Sequence, residues 1–293
     1  MSLWLVAILA MAAPQQPIPQ VLNATPGETS LEFYEGLDSP VFDRAQELFL
    51  ESRYEEASET FLKLYETTSH PVALFLAGNG LYRLDRVDEA ISHYTRAVRE
   101  GLEGMPDIHY NLANAYYAKY MKDEAIAEFR QVLALTGGTD AMAHYHLGIL
   151  LDGEGEHAES IEHYRRTVEL TDDGEPMARQ HLGVAHFMNR DYDDSVRELE
   201  VYIGMVPEDA GGYLNLGIAL RYAGKLMQAI TQLQRALTES SDQLPAAHYQ
   251  LALIHSDREE YGLSLEHFEA AIQQGHTSPK IQEEYAAVRR RVP

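Results

Sequence analysis

One short pattern recurs along this chain with almost no drift, and it limits the fold more than any other feature. It reads Phe75-Leu76-Ala77-Gly78, Tyr110-Asn111-Leu112-Ala113, Tyr145-His146-Leu147-Gly148, Gln180-His181-Leu182-Gly183, Leu214-Asn215-Leu216-Gly217 and Tyr249-Gln250-Leu251-Ala252. The small fourth residue advances in steps of 35, 35, 35, 34 and 35. Twelve residues after each comes a second small residue: Ala90, Ala125, Ser160, Ser195, Ala229 and Ser264. Four further on sits a large apolar one: Tyr94, Phe129, Tyr164, Leu199, Leu233 and Phe268. Ala45, Ala57 and Phe61 extend the marks backwards, which gives seven copies. A fixed period of this length signals stacked supersecondary units, each too small to bury its own apolar face.

Each copy has room for two helices, with apolar residues near i, i+3, i+4 and i+7. In the third copy Leu112, Tyr116, Ile126, Phe129 and Val132 supply those faces. Small residues at the marked positions allow close helix approach, and a large residue there would overpack the contact. Gly155 and Gly224 fall in the turn between the two helices, where a positive φ costs Gly nothing. Gly104, Gly137, Gly138, Gly174 and Gly275, with a series of prolines, punctuate the copies.

The pattern resembles the tetratricopeptide repeat, over about residues 38 to 293. That resemblance implies an all-α fold: a right-handed superhelical solenoid of about seven TPR helix pairs plus a C-terminal capping helix. The repeats are expected over 38–278, starting near 38, 71, 106, 141, 176, 210 and 245. The cap is expected over 279–293, where Ile281, Tyr285 and Val288 form one stripe and Arg289, Arg290 and Arg291 favour the C-terminal end of the helix dipole. Leu31, Phe33, Tyr34 and Leu37 are expected to cover the other end.

The resemblance also implies a protein or peptide partner held on a concave face lined by the first helix of each pair. Carried onto this sequence, the lining slots give Phe75, Asn79, Tyr82 and Arg83, then Tyr110, Asn114, Tyr117 and Ala118. The later copies give Tyr145, Ile149 and Asp152; Gln180, Val184, Phe187 and Met188; Leu214, Ile218, Arg221 and Tyr222; and Tyr249 and Leu253. Aromatic residues dominate, and aromatics enrich binding hot spots. The alternative is that some of them pack between neighbouring helices. Asn79 and Asn111 match the asparagine pair of the family members that clamp a peptide carboxylate. The cationic slots of that clamp hold Phe75, Met142 and His146 instead. Capture of an extended peptide backbone by the Asn pair stays open; carboxylate capture is disfavoured.

The rest of the sequence argues against other classes. A net charge of −23 opposes binding to nucleic acid or to anionic lipid. There is no cysteine, so no disulfide framework and no thiolate chemistry. His109, His144 and His248 share one slot of the repeat, and His93, His163 and His267 share another. Slots repeated across copies mark structure rather than one metal site. Paired carboxylates such as Glu55-Glu56 and Asp193-Asp194 fall at helix starts, and no phosphate loop, nucleophile elbow or dinucleotide fingerprint occurs. No cofactor, metal or catalytic residue is expected. Residues 3–13 form an apolar run in which Ala10-Met11-Ala12 gives a small-x-small cleavage site, which suits a signal peptide over 1–12 and export, to a periplasm. No Lys or Arg precedes the run, so a cytoplasmic location is the alternative. Residues 13–37 read as a Pro-rich linker leading to the N-terminal cover, with no membrane span in the mature chain. The leading expectation is a protein-interaction scaffold. The rivals are an assembly factor acting through self-association or its convex face, and an enzyme or metal-binding protein.

Overall fold

The computed structural model describes residues 33–37, 39–172 and 174–292. The apolar run, the linker and Leu31 lie outside them. The described chain is all-α. Residues through Glu154 form one compact unit and those from Gly155 the other. The division falls between the two helices that the sequence assigns to the fourth copy.

The first unit holds α1 (Pro40–Leu50), α2 (Tyr54–Thr68), α3 (Pro71–Arg83), α4 (Val87–Ala97), α5 (Pro106–Ala118), α6 (Lys122–Leu135) and α7 (Ala141–Glu154). A short π-helical turn, Val98–Leu102, follows α4 and ends its run at Gly101, φ 123°. The second unit holds α8 (His157–Leu170), α9 (Pro176–Met188), α10 (Tyr192–Met205), α11 (Ala210–Tyr222), α12 (Leu226–Glu239), α13 (Pro245–Asp257), α14 (Tyr261–Gln273) and α15 (Pro279–Arg289).

Local sequence sets these boundaries. Proline opens α1, α3, α5, α9, α13 and α15, at the first turn where its missing N–H has no helical partner. Asp209 caps α11, its carboxylate accepting from the Gly211 and Gly212 amides at 3.0 and 2.8 Å. The turn inside each pair uses one left-handed residue. It recurs at Ser52, Asp85, Tyr120, Gly155, Arg190, Gly224 and Glu259, all at positive φ. The amide that follows it reaches back across the turn, as in Met121 N to Tyr116 O and Lys225 N to Leu220 O, both 2.9 Å. Only two of these seven positions are glycine, so most copies accept the cost of a side chain there.

The repeat marks have a direct steric meaning. Phe61, Tyr94, Phe129, Tyr164, Leu199, Leu233 and Phe268 are all fully buried, each burial contributing about 1.5–3 kcal/mol. The small residue of the first helix receives this large side chain from the second. A methyl on Gly78 would stand 2.5 Å from Tyr94 Cε1, on Gly183 2.7 Å from Leu199 Cγ, and on Gly217 2.6 Å from Leu233 Cγ. Sequence reasoning assigned the small residues to backbone approach. The structure makes them sockets for a side chain sixteen residues downstream.

The ends are covered from within the chain. Leu37 is buried, and Phe33 and Tyr34 pack on the first core. At the other end α15 buries Ile281 and Val288 beside Tyr249 and Phe268. Ser278 caps it by accepting from the Ile281 amide at 3.4 Å. No helix among the described residues is long and apolar enough to cross a membrane.

Candidate functional site

The first helices of the pairs carry the lining residues expected from the sequence, and the structure divides them by exposure. In the first unit Phe75, Asn79, Tyr110, Asn111, Asn114 and Tyr145 are buried. Tyr82 is half-buried, with its hydroxyl 3.5 Å from the Asn114 carbonyl. Tyr117 is 37% exposed. In the second unit Gln180, Phe187, Leu214 and Tyr249 are buried, Arg221 is half-buried and Tyr222 is 39% exposed.

The asparagine pair makes internal bonds. Asn79 Oδ1 accepts from Asn111 Nδ2 and from the Tyr94 hydroxyl, both at 2.9 Å. One acceptor thus joins α3, α4 and α5. Its geometry leaves that oxygen to the packing of the stack, not to a peptide backbone. Asn114 differs: both its amide atoms are buried without a hydrogen-bond partner among the described residues. Asn215 on α11 stands in the same condition.

His146, at a slot where the clamp would place a cation, is an interior ring. It stacks on Phe129 at 5.4 Å and meets Tyr110 edge-on at 5.9 Å. Burial pushes it down to about 3, so it is neutral at physiological pH. An uncharged imidazole surrounded by aromatics cannot act as a carboxylate's counter-ion.

The second unit builds the more open arrangement. Tyr222 lies edge-on against Phe187 at 5.2 Å and beside Tyr192 at 5.5 Å. The Arg221 guanidinium sits 5.7 Å from the Tyr222 ring centre. It also donates to Gln250 Oε1 at 3.2 Å and Asp257 Oδ2 at 3.4 Å. An aromatic shelf thus stands next to a cation held in place by two acceptors from α13. Such a pair offers stacking area, planar donors and a cation–π face at one point. Tyr192, Gln250 and Asp257 were missed from sequence. Tyr192 belongs to a second helix, outside the slots inherited from the family. Gln250 sits beside Tyr249, one position off a lining slot.

The turn edge is charged and largely self-paired. Arg86 meets Glu55, Lys119 meets Asp88, Lys225 meets Asp193, and Lys122 meets Glu154, each linking one pair to the next. All are well exposed, so each adds little stability. No group of three or more His, Asp or Glu side chains among the described residues is placed to hold a metal ion.

Known proteins share this fold. The family model for the tetratricopeptide repeat matches residues 42–104, 75–138, 110–175 and 214–279. A comparison with curated proteins returns no match. Among solved structures, the C-terminal part of a TPR repeat-containing protein from Cytophaga hutchinsonii is similar, with TM-score 0.69 and 16% identity, covering 83% of this chain and 98% of that one. A tetratricopeptide repeat protein from Parabacteroides merdae gives TM-score 0.55 and 18% identity, covering 89% and 99%. YrrB, described as a TPR protein with an unusual peptide-binding site, gives 0.60 and 22%, covering 65% and 97%. Identities this low speak for the fold alone. The family model, however, spans well over half of the sequence, and the chain belongs to the tetratricopeptide-repeat family.

Proposed function

We propose that this chain is a non-catalytic scaffold that holds a protein or peptide through the exposed side chains of its first helices. Proteins of the repeat family bind protein partners, and the family is in general one of scaffolds rather than enzymes. The observation that carries the proposal is the Tyr222 shelf. Tyr222 is exposed while resting on Phe187 and Tyr192, with Arg221 fixed beside it by Gln250 and Asp257. A pre-positioned aromatic and a pre-positioned cation lose little side-chain entropy when a partner docks. Tyr117, in the other unit, is a second exposed aromatic of the same kind.

The buried lining residues take a supporting part in this reading. Asn79, Asn111 and Phe187 fix the helices from which Tyr117 and Tyr222 project. Peptide recognition is described for YrrB, and this chain is proposed to share that general mode without the carboxylate clamp. Export to a periplasm, expected from residues 3–13, belongs to the same proposal. Its test is the N-terminal sequence of the mature chain.

Tyr222→Ser and Tyr117→Ser variants, singly and together, test the binding role. Partner recovery by crosslinking in the native compartment should fall in each, with helicity unchanged. Full recovery by the double variant contradicts the proposal. A concentration-dependent homo-oligomer seen by light scattering, with no partner recovered, would favour the assembly reading instead.

A further inference from the structure

The last helix pair carries three imidazoles that no binding role uses. His248 and His255 lie on α13, and His267 faces them from α14. His248 Nδ1 and His267 Nδ1 stand 3.0 Å apart. The His255 and His267 rings are parallel, 4° between planes, with centroids 5.5 Å apart. His248 and His255 are both buried. We propose that His248, His255 and His267 form an acid-sensitive latch that holds α14 on α13 at neutral pH and releases the terminal pair on acidification.

The geometry of the first contact requires one proton. Two ring nitrogens at 3.0 Å form a hydrogen bond only if one carries hydrogen and the other a lone pair. A proton on both abolishes the bond and brings two like charges together. The outer rings have carboxylate neighbours. Asp242 Oδ1 lies 3.0 Å from His248 Nε2, and Glu260 Oε2 lies 2.6 Å from His255 Nδ1. His267 has no carboxylate in direct contact among the described residues and feels Asp242 only at longer range, so its added charge would be the least compensated.

Other charged groups around the pair are committed elsewhere. Arg258 binds Glu260. Arg221, from α11, binds Asp257 and Gln250. Glu284, from α15, accepts from the Tyr249 hydroxyl at 2.8 Å. The loop leaving α12 contributes Asp242 alone to the His248 side.

The direction of the response follows from linkage. Burial, with the neighbouring His248 and His255, pushes His267 from 6.5 down to about 4. The opened pair therefore binds more protons than the closed one between those values. Closure is favoured above about pH 6.5 and is lost progressively as pH falls toward 4. The last pair has a full helix pair on one side and the single helix α15 on the other, so it opens before the interior ones.

Hydrogen exchange on the full chain, corrected for the intrinsic rate, tests this. Between pH 7 and pH 5 the protection of α14 should fall by about tenfold relative to α11 of the same unit. In His267→Phe that excess loss should disappear. Asp242→Asn, an exposed change that leaves the pair intact, removes a charge that favours the protonated closed form and should move the midpoint to higher pH. Parallel loss in α14 and α11, a wild-type profile in His267→Phe, or an unmoved midpoint in Asp242→Asn would overturn the latch.

Discussion

Asn111 donates its side-chain amide to Asn79 Oδ1 at 2.9 Å, and that single bond couples successive repeats through two buried polar groups. The Tyr94 hydroxyl shares the same acceptor. A polar pair that sequence alone offers to a ligand is thus part of the stack. Replacing Asn79 with Ala leaves two buried donors unmatched. The expected loss is about 1–3 kcal/mol. Chemical unfolding of the variant, read by amide exchange in α3 and α5, checks it. A loss confined to partner binding, with stability unchanged, would restore a direct ligand role.

The socket at Gly78 makes a sharper steric prediction. A Cβ there meets Tyr94 at 2.5 Å, and the ring is fully buried. Gly78→Ala should cost about 1–3 kcal/mol. Gly153, in α7 of the same unit, has nothing within 4 Å of an added Cβ. Gly153→Ala should therefore stabilise by about 0.5–1 kcal/mol through helix propensity. Paired thermal melts measure both signs in one experiment.

These sockets explain why so much of the fold was legible in the sequence. The spacing from Gly78 to Tyr94, repeated at Gly183 to Leu199 and Gly217 to Leu233, is itself the contact between the paired helices. A contact with fixed spacing leaves a fixed-period trace. The binding face leaves no such trace. Slot arithmetic places Phe187 and Tyr222 on the first helices of neighbouring pairs, α9 and α11, but does not tell which one the neighbours cover. Phe187 is buried because Tyr192 and Tyr222 both close over it. Likewise Asn79 and Asn114 share one slot, yet only Asn79 meets a tyrosine hydroxyl from its own pair.

Asp209 concentrates three roles in one carboxylate. It caps α11, accepts from the Tyr202 hydroxyl at 2.8 Å, and lies 3.4 Å from Gln180 Nε2. Asp209→Ala removes a cap worth about 0.5–2 kcal/mol and leaves the Tyr202 hydroxyl without its acceptor. Asp209→Asn keeps the capping oxygen and should lose less. Urea midpoints for the two variants, with exchange at the Gly211 and Gly212 amides, separate the contributions.

His146 gives a pH dependence in the first unit. It is neutral and buried when folded, at about 3, against an ordinary value of 6.5. The unfolded chain takes up the proton first, so stability falls as pH drops from 6.5 toward 3. His146→Phe keeps the ring contacts with Phe129 and removes two unpartnered nitrogens. The variant should gain about 1–3 kcal/mol at neutral pH, and a larger margin at pH 5. Melting curves at both pH values check the sign. An equal margin at the two would show that His146 does not titrate with folding.

The scaffold reading meets its most direct test in site-specific photocrosslinking in the native compartment. A photoreactive residue replaces Tyr222 in one protein and the exposed Arg165, on α8, in another. Partner capture is expected from position 222 alone, and Arg221→Glu in the same background should abolish it. Equal capture from both positions, or capture at 222 that survives Arg221→Glu, would contradict a binding face built on the Tyr222 shelf.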